Sequence, residues 1–332
     1  MNSAPLAKRL KESTNNDDGN PDNVLLLAIP KKGRLMEKCS KLLEGAGIKF
    51  SRSDRLDIAY ASNLPLAIVF LPAADIAQYV ANGNVELGIT GLDIVEESEV
   101  NVEILEYLGF GKCKLAVQAP VGKYRSAEDL AGCRVHTSFP NTTRKFFRNI
   151  SSEKETKVTY LNGSVEIACS LGLADAVVDL VETGTTMKAA GLEIVATIME
   201  TQAVLIHNPK KNDKNSHHAL CQKLHARIQG YITAQEYQMI TYNVPRVKLQ
   251  LAEQITPGKR SPTVSPLEDV NWCSVSALVK RSNAAEVMDK LQELGAGIYS
   301  LLCLCVSVVL LSVWEEDILL TDVNNCRVGT KQ

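Results

Sequence analysis

At 332 residues the chain is long enough for two or three domains with a sizeable core. It is 45% hydrophobic and 22% charged, with a formal net charge of -2 and a pI near 6.3. That balance excludes a general attraction for nucleic acid or an anionic membrane and leaves room only for local basic clusters around a phosphate.

Residues 1–22 are polar, lack the apolar centre of a secretory signal and read as a disordered tail. The apolar run at 23–30, "NVLLLAIP", predicts a buried strand. After "KKGRL", the residues Leu35, Met36, Cys39, Leu42 and Leu43 share one helical face, which Gly45 or Gly47 ends. Strands are predicted over 64–72, 85–91, 112–120, 131–138 and 156–164, and helices over 73–83, 139–150 and 165–174. The alternation predicts an α/β fold with a largely parallel sheet, in two lobes joined by crossing strands. Residues 217–244 read as one long helix and 254–269 as a polar loop with three prolines, placing a domain boundary near 240–255. A strand over 272–279, a helix over 283–296 and a strand over 317–323 make a small α+β module.

The nine cysteines include no CxxC pair and no His/Cys group at zinc spacing, which reads as reduced thiols in a cytoplasmic protein. His217 and His218 have no acid nearby in sequence and read as surface residues.

"DAVVDLVETGTT", 175–186, is a buried strand that carries Asp179 near its end and then enters a helix through hydroxyls and a glycine. Ligands sit at the C-terminal ends of parallel strands. Such a loop offers N–H and O–H donors at the positive end of a helix, which suits a phosphate. Asp179 is then placed to accept hydrogen bonds from sugar hydroxyls. The competing reading is helix capping by Thr183 or Thr185, with Asp179 an ordinary turn acid. "IPKKGRL" sets Lys32, Gly33 and Arg34 at another strand end, fit for polyphosphate or simply a solvated basic turn. "ELGITGLD" contributes Thr90, Gly91 and Asp93; "TSFPNTTRKFF" contributes Thr137, Ser138, Asn141, Thr142, Thr143 and Arg144; "NGSVE" contributes Gly163, Ser164 and Glu166. Five such loops together predict a cleft between two α/β lobes that binds nucleotide-like ligands.

In order along the chain, "AIPKKGRL", "YVANGNVELGITGLD", "LNGSVEIACSLGLADAVVDLVETGTTMKAAGL" and "ITPGKRSPTVSPLED" resemble the ATP phosphoribosyltransferase family in its long form; "FLPAADI" has a fungal look. The resemblance covers 23–296 and resumes at "DILLTDVNNCRV". It implies a two-lobed catalytic region like the type II periplasmic binding proteins, plus a small ferredoxin-like α+β regulatory domain. Lobe I would be 23–116 with 204–240, lobe II 117–203, and the regulatory domain 245–332. The implied reaction moves a 5-phosphoribosyl group from phosphoribosyl diphosphate to N1 of ATP. That is the first, feedback-regulated step of L-histidine biosynthesis. Mg2+ is the implied cofactor, held largely through substrate phosphates. L-histidine is the implied inhibitor, and the chain is expected as a homo-oligomer, dimer or hexamer, without nucleic acid or membrane partners.

Carried over by motif, Glu166, Asp179 and Lys32 would be catalytic. Phosphoribosyl diphosphate would meet Asp179, Glu182, Thr183, Gly184, Thr185, Thr186, Gly163 and Ser164. ATP and diphosphate would meet Lys32, Gly33, Arg34, Thr90, Gly91 and Asp93. Asn243, standing for the family's acid, and Thr263 would bind regulatory histidine. Pro72 replaces an arginine of many members, and His136 and Phe139 replace the usual Ala and Tyr. Two other readings remain at this point. A type I phosphoribosyltransferase acting on a free base usually has adjacent acids, whereas Leu180 follows Asp179 here. A non-enzymatic solute-binding protein would share the lobes.

Residues 297–315 are apolar and uncharged until their end, and interrupt a junction that the family makes directly between Ala296 and Glu316. The preferred reading is a retained intron translated in frame. A genuine insertion packed as helix or hairpin and a membrane segment are the alternatives.

Overall fold

The structure, a computed structural model, describes residues 24–53, 56–163, 165–209 and 217–303, with backbone only over 298–303. They form two compact units. The first holds the described residues up to Lys41 together with Lys49–His225, and the second holds Leu42–Ile48 with the described residues from Ala226 onward.

The chain begins with β1 (Leu25–Pro30), α1 (Gly33–Gly45), β2 (Ile58–Tyr60), β3 (Leu66–Leu71), α2 (Ala73–Ala81), β4 (Leu87–Gly91), α3 (Leu92–Ser98) and β5 (Glu103–Tyr107). It continues with β6 (Cys113–Pro120), β7 (Arg134–Thr137), α4 (Pro140–Ile150), β8 (Lys157–Tyr160), α5 (Ile167–Ser170), β9 (Ala176–Val181), α6 (Thr185–Ala189), β10 (Leu192–Thr201) and β11 (Ala203–His207). Then come α7 (His218–Glu236), β12 (Tyr237–Pro245), α8 (Leu249–Ile255), β13 (Thr263–Pro266), β14 (Trp272–Lys280), α9 (Ala284–Glu293) and β15 (Gly297–Cys303).

The first unit carries two sheets, ordered β2-β3-β1-β4-β11-β5 and β10-β6-β9-β7-β8. They are mixed, which corrects the expectation of a largely parallel sheet. β1 runs parallel to β3 and β4, and β7 parallel to β8 and β9, while β2, β5, β6, β10 and β11 are antiparallel to their neighbours. Apart from β2, which pairs with β3 through a short link, the reason lies in the crossings. The chain passes from β5 to β6 and returns from β10 to β11, so each sheet receives strands that enter from the other. The two crossings lie side by side: Ala203 N–H donates to the Phe110 carbonyl at 2.9 Å, and Leu108 N–H to that of Ala203 at 3.0 Å.

The core follows the apolar runs. Leu25, Leu27, Ala28 and Ile29 of β1 and Ala176, Val177 and Val178 of β9 are fully buried, because helices or strands cover both faces of these strands. Each buried Val, Leu or Ile contributes about 1.5–3 kcal/mol. An exposed ion pair contributes about 0–1 kcal/mol. The strands, not the surface pairs, therefore fix where the strand-end loops sit.

In the second unit the sheet is antiparallel, ordered β13-β14-β12-β15. One face buries Ile240, Tyr242, Val244, Cys273, Val275 and Ala277 with Leu291 of α9. The helix predicted over 217–244 stops at Glu236. In "YQMITYNVP" the buried residues Gln238, Ile240, Tyr242 and Val244 alternate with more exposed ones, a period of two that suits a strand. The boundary predicted near 240–255 thus cuts through a central strand of this sheet. The predicted polar loop over 254–269 contains β13, and β2, β5 and α3 were not anticipated. β15 takes the first part of the suspected insertion and pairs with β12 from Gln238↔Cys303 to Asn243↔Gly297. The tail at 1–22, the rest of 297–315 and the strand predicted over 317–323 lie outside the described residues. No helix of the described residues is long and apolar enough to cross a membrane.

Candidate active site

β9 leaves the core at Asp179. Its carboxylate accepts the Leu180 N–H at 2.8 Å, and the Gln118 side-chain amide donates to its carbonyl at 3.2 Å. Burial raises the carboxyl above the ordinary aspartate range; the Leu180 bond opposes the rise, and the Glu166 charge adds to it. The last effect means that Glu166, just before α5, lies close enough for its charge to act on Asp179.

The loop that follows is not side-chain capped. Gly184 stands before α6 with φ +73°, a left-handed conformation that glycine adopts without strain. Thr183 and Thr185 hydrogen-bond each other, Oγ1···Oγ1 2.9 Å, rather than the helix end. The capping reading therefore fails, and the loop keeps its hydroxyls at the surface. Gly163 is also left-handed and exposed, and Ser164 lies outside the described residues.

Lys32, Gly33 and Arg34 are exposed at the start of α1, whose first turn carries no acid. Cations at the positive end of a helix are unfavourable there, so this turn favours an anion. In the structure the anion is Glu182: Arg34 Nη1 donates to its Oε2 at 2.8 Å. The "KKGRL" and "ETGTT" loops thus meet at this ion pair.

A cavity of about 590 Å³ borders the second loop, lined by Glu182, Thr183 and Gly184 with Lys112, Lys114 and Lys188. Sequence reasoning missed these lysines. Lys112 and Lys114 flank Cys113, whose register partner is Thr201, and Lys114 lies opposite Val181 in β9. Only the sheet register shows that they belong here. The Cys113 thiol is pushed up to about 11, by burial first and then by the charges of Asp93, Glu182 and Asp179. It is protonated at neutral pH and no nucleophile.

The "ITGLD" loop is spent on structure. The buried Thr90 hydroxyl donates to the Ala73 carbonyl at 2.9 Å. Asp93 is buried; Thr201 Oγ1 donates to its Oδ1 at 2.6 Å and accepts its N–H at 3.0 Å. Burial raises this carboxyl too, against the Thr201 bond. A Cβ on Gly91 would press on the buried Asp93 carboxylate, which would have to shift.

The "TSFPNTT" loop departs from the phosphate reading. The Thr137 hydroxyl donates to the Val178 carbonyl and that of Ser138 to the Leu161 carbonyl. The Asn141 and Thr142 N–H groups at the start of α4 both donate to the Glu97 carboxylate, each at 2.9 Å. An internal acid already fills the place expected for phosphate.

His217 is not a surface residue. Its side chain is 13% exposed, with Nδ1 4.0 Å from Glu86 Oε1. It lines a cavity of about 250 Å³ with His207, His218, His225 and Cys221.

In the second unit, Asn243 pairs with Ser274, and Ser274 with Ser265. Thr241 pairs with Ser276, and Ser276 with Thr263. These residues share the sheet face opposite the core, so Asn243 and Thr263 lie on one hydroxyl-rich surface with β14 between them.

The sequence model of the family described as ATP phosphoribosyltransferase matches residues 72–230, and that of its C-terminal domain matches 234–298. The chain is 47% identical to the ATP phosphoribosyltransferase of Kluyveromyces lactis over 309 residues, spanning 92% of this chain and 97% of that one. It is 44% identical to the enzyme of Saccharomyces cerevisiae over 309 residues, with the same shares. Among solved structures, the Thermotoga maritima ATP phosphoribosyl transferase (HisG:HisZ) complex matches with a TM-score of 0.56 and 26% identity, covering 63% of this chain and 99% of that chain. With relatives this similar over almost their whole length, the chain belongs to the ATP phosphoribosyltransferase family.

Proposed function

We propose that the cleft between the "KKGRL" and "ETGTT" loops is the site where this chain joins phosphoribosyl diphosphate to N1 of ATP. That reaction is the first step of histidine biosynthesis, and it releases diphosphate. The observation that carries the site assignment is the Arg34–Glu182 contact, which brings two anion-seeking helix starts together.

In this reading the 5-phosphate lies on Thr183, Gly184, Thr185 and Thr186, with Gly163 and Ser164 beside it. Asp179 and Glu166 orient the ribose hydroxyls. The N1 lone pair attacks the anomeric carbon, while the bond to diphosphate breaks and its electrons leave on the diphosphate oxygen. Positive charge grows on the ribose ring and is met by the two carboxylates. Lys32 and Arg34, helped by Lys112 and Lys114, receive the negative leaving group. No general base is required, since neutral N1 already carries its lone pair. Orientation of two substrates between the lobes supplies much of the rate.

Among the described residues no group of three or more His, Cys, Asp or Glu is spaced to hold a metal. Mg2+ would arrive on the diphosphate, with at most one or two carboxylates such as Glu182 or Asp179 added. The ion would neutralise phosphate charge.

The remaining expectations belong to the same reading. The free cysteines suit a cytoplasmic location. The polar face bearing Asn243 and Thr263 is taken as the L-histidine site, with weaker inhibition than an acid at position 243 would give. The assembly is a homo-oligomer. Catalytic lobes are assigned to the two sheets of the first unit, and the regulatory domain to the sheet of the second.

The test is incubation of the purified chain with ATP and phosphoribosyl diphosphate. Chromatography should show phosphoribosyl-ATP and diphosphate. Turnover of free bases with ATP untouched would overturn the reading in favour of a type I enzyme.

A further inference from the structure

The geometry points to α3 as a strut that sets the angle between the two lobes, with Glu97 as its positioning residue. α3 follows β4 of the first sheet, and α4 follows β7 of the second. At its start α3 is tied to the crossing strand β10 by the reciprocal Asp93–Thr201 bonds. Its first residue, Leu92, donates N–H to the carbonyl of Gln202, in the crossing itself, at 2.9 Å.

The far end of the helix carries the unusual feature. A carboxylate near a helix C-terminus faces the negative end of the dipole. Glu97 instead spans to the N-terminus of α4, where its two oxygens accept the Asn141 and Thr142 N–H groups at 2.9 Å each. The Asn141 side-chain amide donates back to the Glu97 carbonyl at 3.0 Å. α4 has no cap of its own: Phe139 supplies no side-chain bond, and Pro140 has no N–H. Glu97 therefore caps a helix of the other lobe.

A second, independent observation lies two residues on. Glu99 ends α3 at φ +51°, the left-handed non-glycine residue among the described ones. Such strain persists where the surroundings over-determine the conformation. Here the surroundings include Lys145 of α4, whose Nζ is 2.8 Å from Glu99 Oε1. α3 is thus fastened at both ends to the second lobe while rooted in the first.

The strut bears on catalysis only through lobe geometry and rests on the functional reading above. In that reading the ribose 5-phosphate part of phosphoribosyl diphosphate meets the second lobe alone, whereas its diphosphate also reaches Lys32 and Arg34 of the first, and reaction with ATP needs both lobes. In Glu97→Ala, kcat should fall on the order of tenfold to a hundredfold, the cost of misplacing reacting groups. Calorimetric binding of ribose 5-phosphate, which meets only Asp179, Glu166 and the 183–186 loop of the second lobe, should change less than about twofold, since those groups are untouched. Glu97→Gln keeps one acceptor oxygen and should recover part of the loss. Spin labels on non-natural side chains at Lys38 and Lys157, one in each lobe, should give a broader distance distribution in Glu97→Ala than in the parent chain. An unchanged distribution overturns the strut, and so does loss of ribose 5-phosphate binding in step with melting temperature, which would make Glu97 a helix cap only. If the parent chain binds neither substrate, the functional reading fails while the distance measurement still decides the strut.

Discussion

Arg34 and Glu182 stand 148 positions apart in sequence, and their side chains meet at 2.8 Å across the cleft. Their side chains are 80% and 48% exposed, so solvent screens the pair and it adds only about 0–1 kcal/mol to stability. In the proposed reading its value lies in keeping a guanidinium where a diphosphate is to arrive. Arg34→Met should leave the melting temperature within about 2 °C, because the pair is so weak. The KM for phosphoribosyl diphosphate should rise roughly tenfold or more, the loss of a charged hydrogen bond. A large thermal shift with unchanged KM, read from a melting scan and initial rates, would assign the arginine to structure.

Asp179 makes the opposite trade. Burial raises its carboxyl, so the ionised form needed to accept ribose hydroxyls is disfavoured in the fold. Activity should therefore climb with pH across a limb lying above the ordinary aspartate value of about 3.9. Asp179→Asn should abolish most turnover and lose that limb. The sign for stability follows from the same shift. The fold favours the protonated acid, and this stabilisation is full below the unfolded pKa and is lost as pH rises through the folded pKa. Asp179→Asn should then melt higher than the parent at pH 7, with the gap closing in acid. A variant that melts lower at pH 7 contradicts the assignment.

The loops that were legible in the sequence carry their chemistry in consecutive residues. "ETGTT" announces itself by a glycine that must go left-handed and by hydroxyls beside it, and "KKGRL" by clustered cations. Lys112 and Lys114 carry no such signal, because the β6–β9 register sets Lys114 opposite Val181 and so, with its near neighbour Lys112, beside the cavity at "ETGTT". "FPNTT" misled because its free N–H groups satisfy a local rule for phosphate, whereas the acid that fills them comes from 44 residues away. "YQMITYNVP" misled because it follows a true helix without a break in composition, and only its alternation marks the strand.

Thr201 tests whether the crossing strand anchors Asp93. Thr201→Val removes the hydroxyl that donates to a buried carboxylate, which costs about 1–3 kcal/mol. Asp93 has a raised pKa through burial, so the loss should be greatest where it is ionised and should shrink as pH falls. Denaturant titrations at pH 7 and pH 4 measure both. A loss equal at the two values would mean that the unpaired Asp93 N–H or the local packing, not the carboxylate bond, sets the cost.

Gly184 and Gly91 separate two reasons for a glycine. A Cβ on Gly184 meets Met187 and Val181 only at ordinary contact distance, so the constraint is its φ of +73°. Asn tolerates that conformation better than Ala. Gly184→Asn should accordingly bind phosphoribosyl diphosphate more tightly than Gly184→Ala. At Gly91, whose φ is -77°, the constraint is the Asp93 carboxylate, and both substitutions should destabilise, Asn at least as much as Ala. Equal binding losses for the two Gly184 variants would mean that space, not backbone, limits that position.

The last test concerns 297–315. β12 is paired on one side by β14 and on the other by β15, which is the start of this stretch. Without β15, a row of β12 N–H and C=O groups would face outward as an open edge, a site for aggregation. Yet "DILLTDV" at 317–323 also has the apolar character of a strand, and deletion of 297–315 joins it directly to the turn after α9. If the stretch is a retained intron, the deletion variant should pair 317–323 with β12 in place of β15. Hydrogen exchange should then find Tyr237–Pro245 at least as protected as in the 332-residue chain, with better solubility. Histidine should bind the polar face more tightly by calorimetry, since Asn243 would recover its intended neighbour strand. Fast exchange along β12 and precipitation of the variant would establish instead that Gly297–Cys303 is the native partner and the insertion genuine.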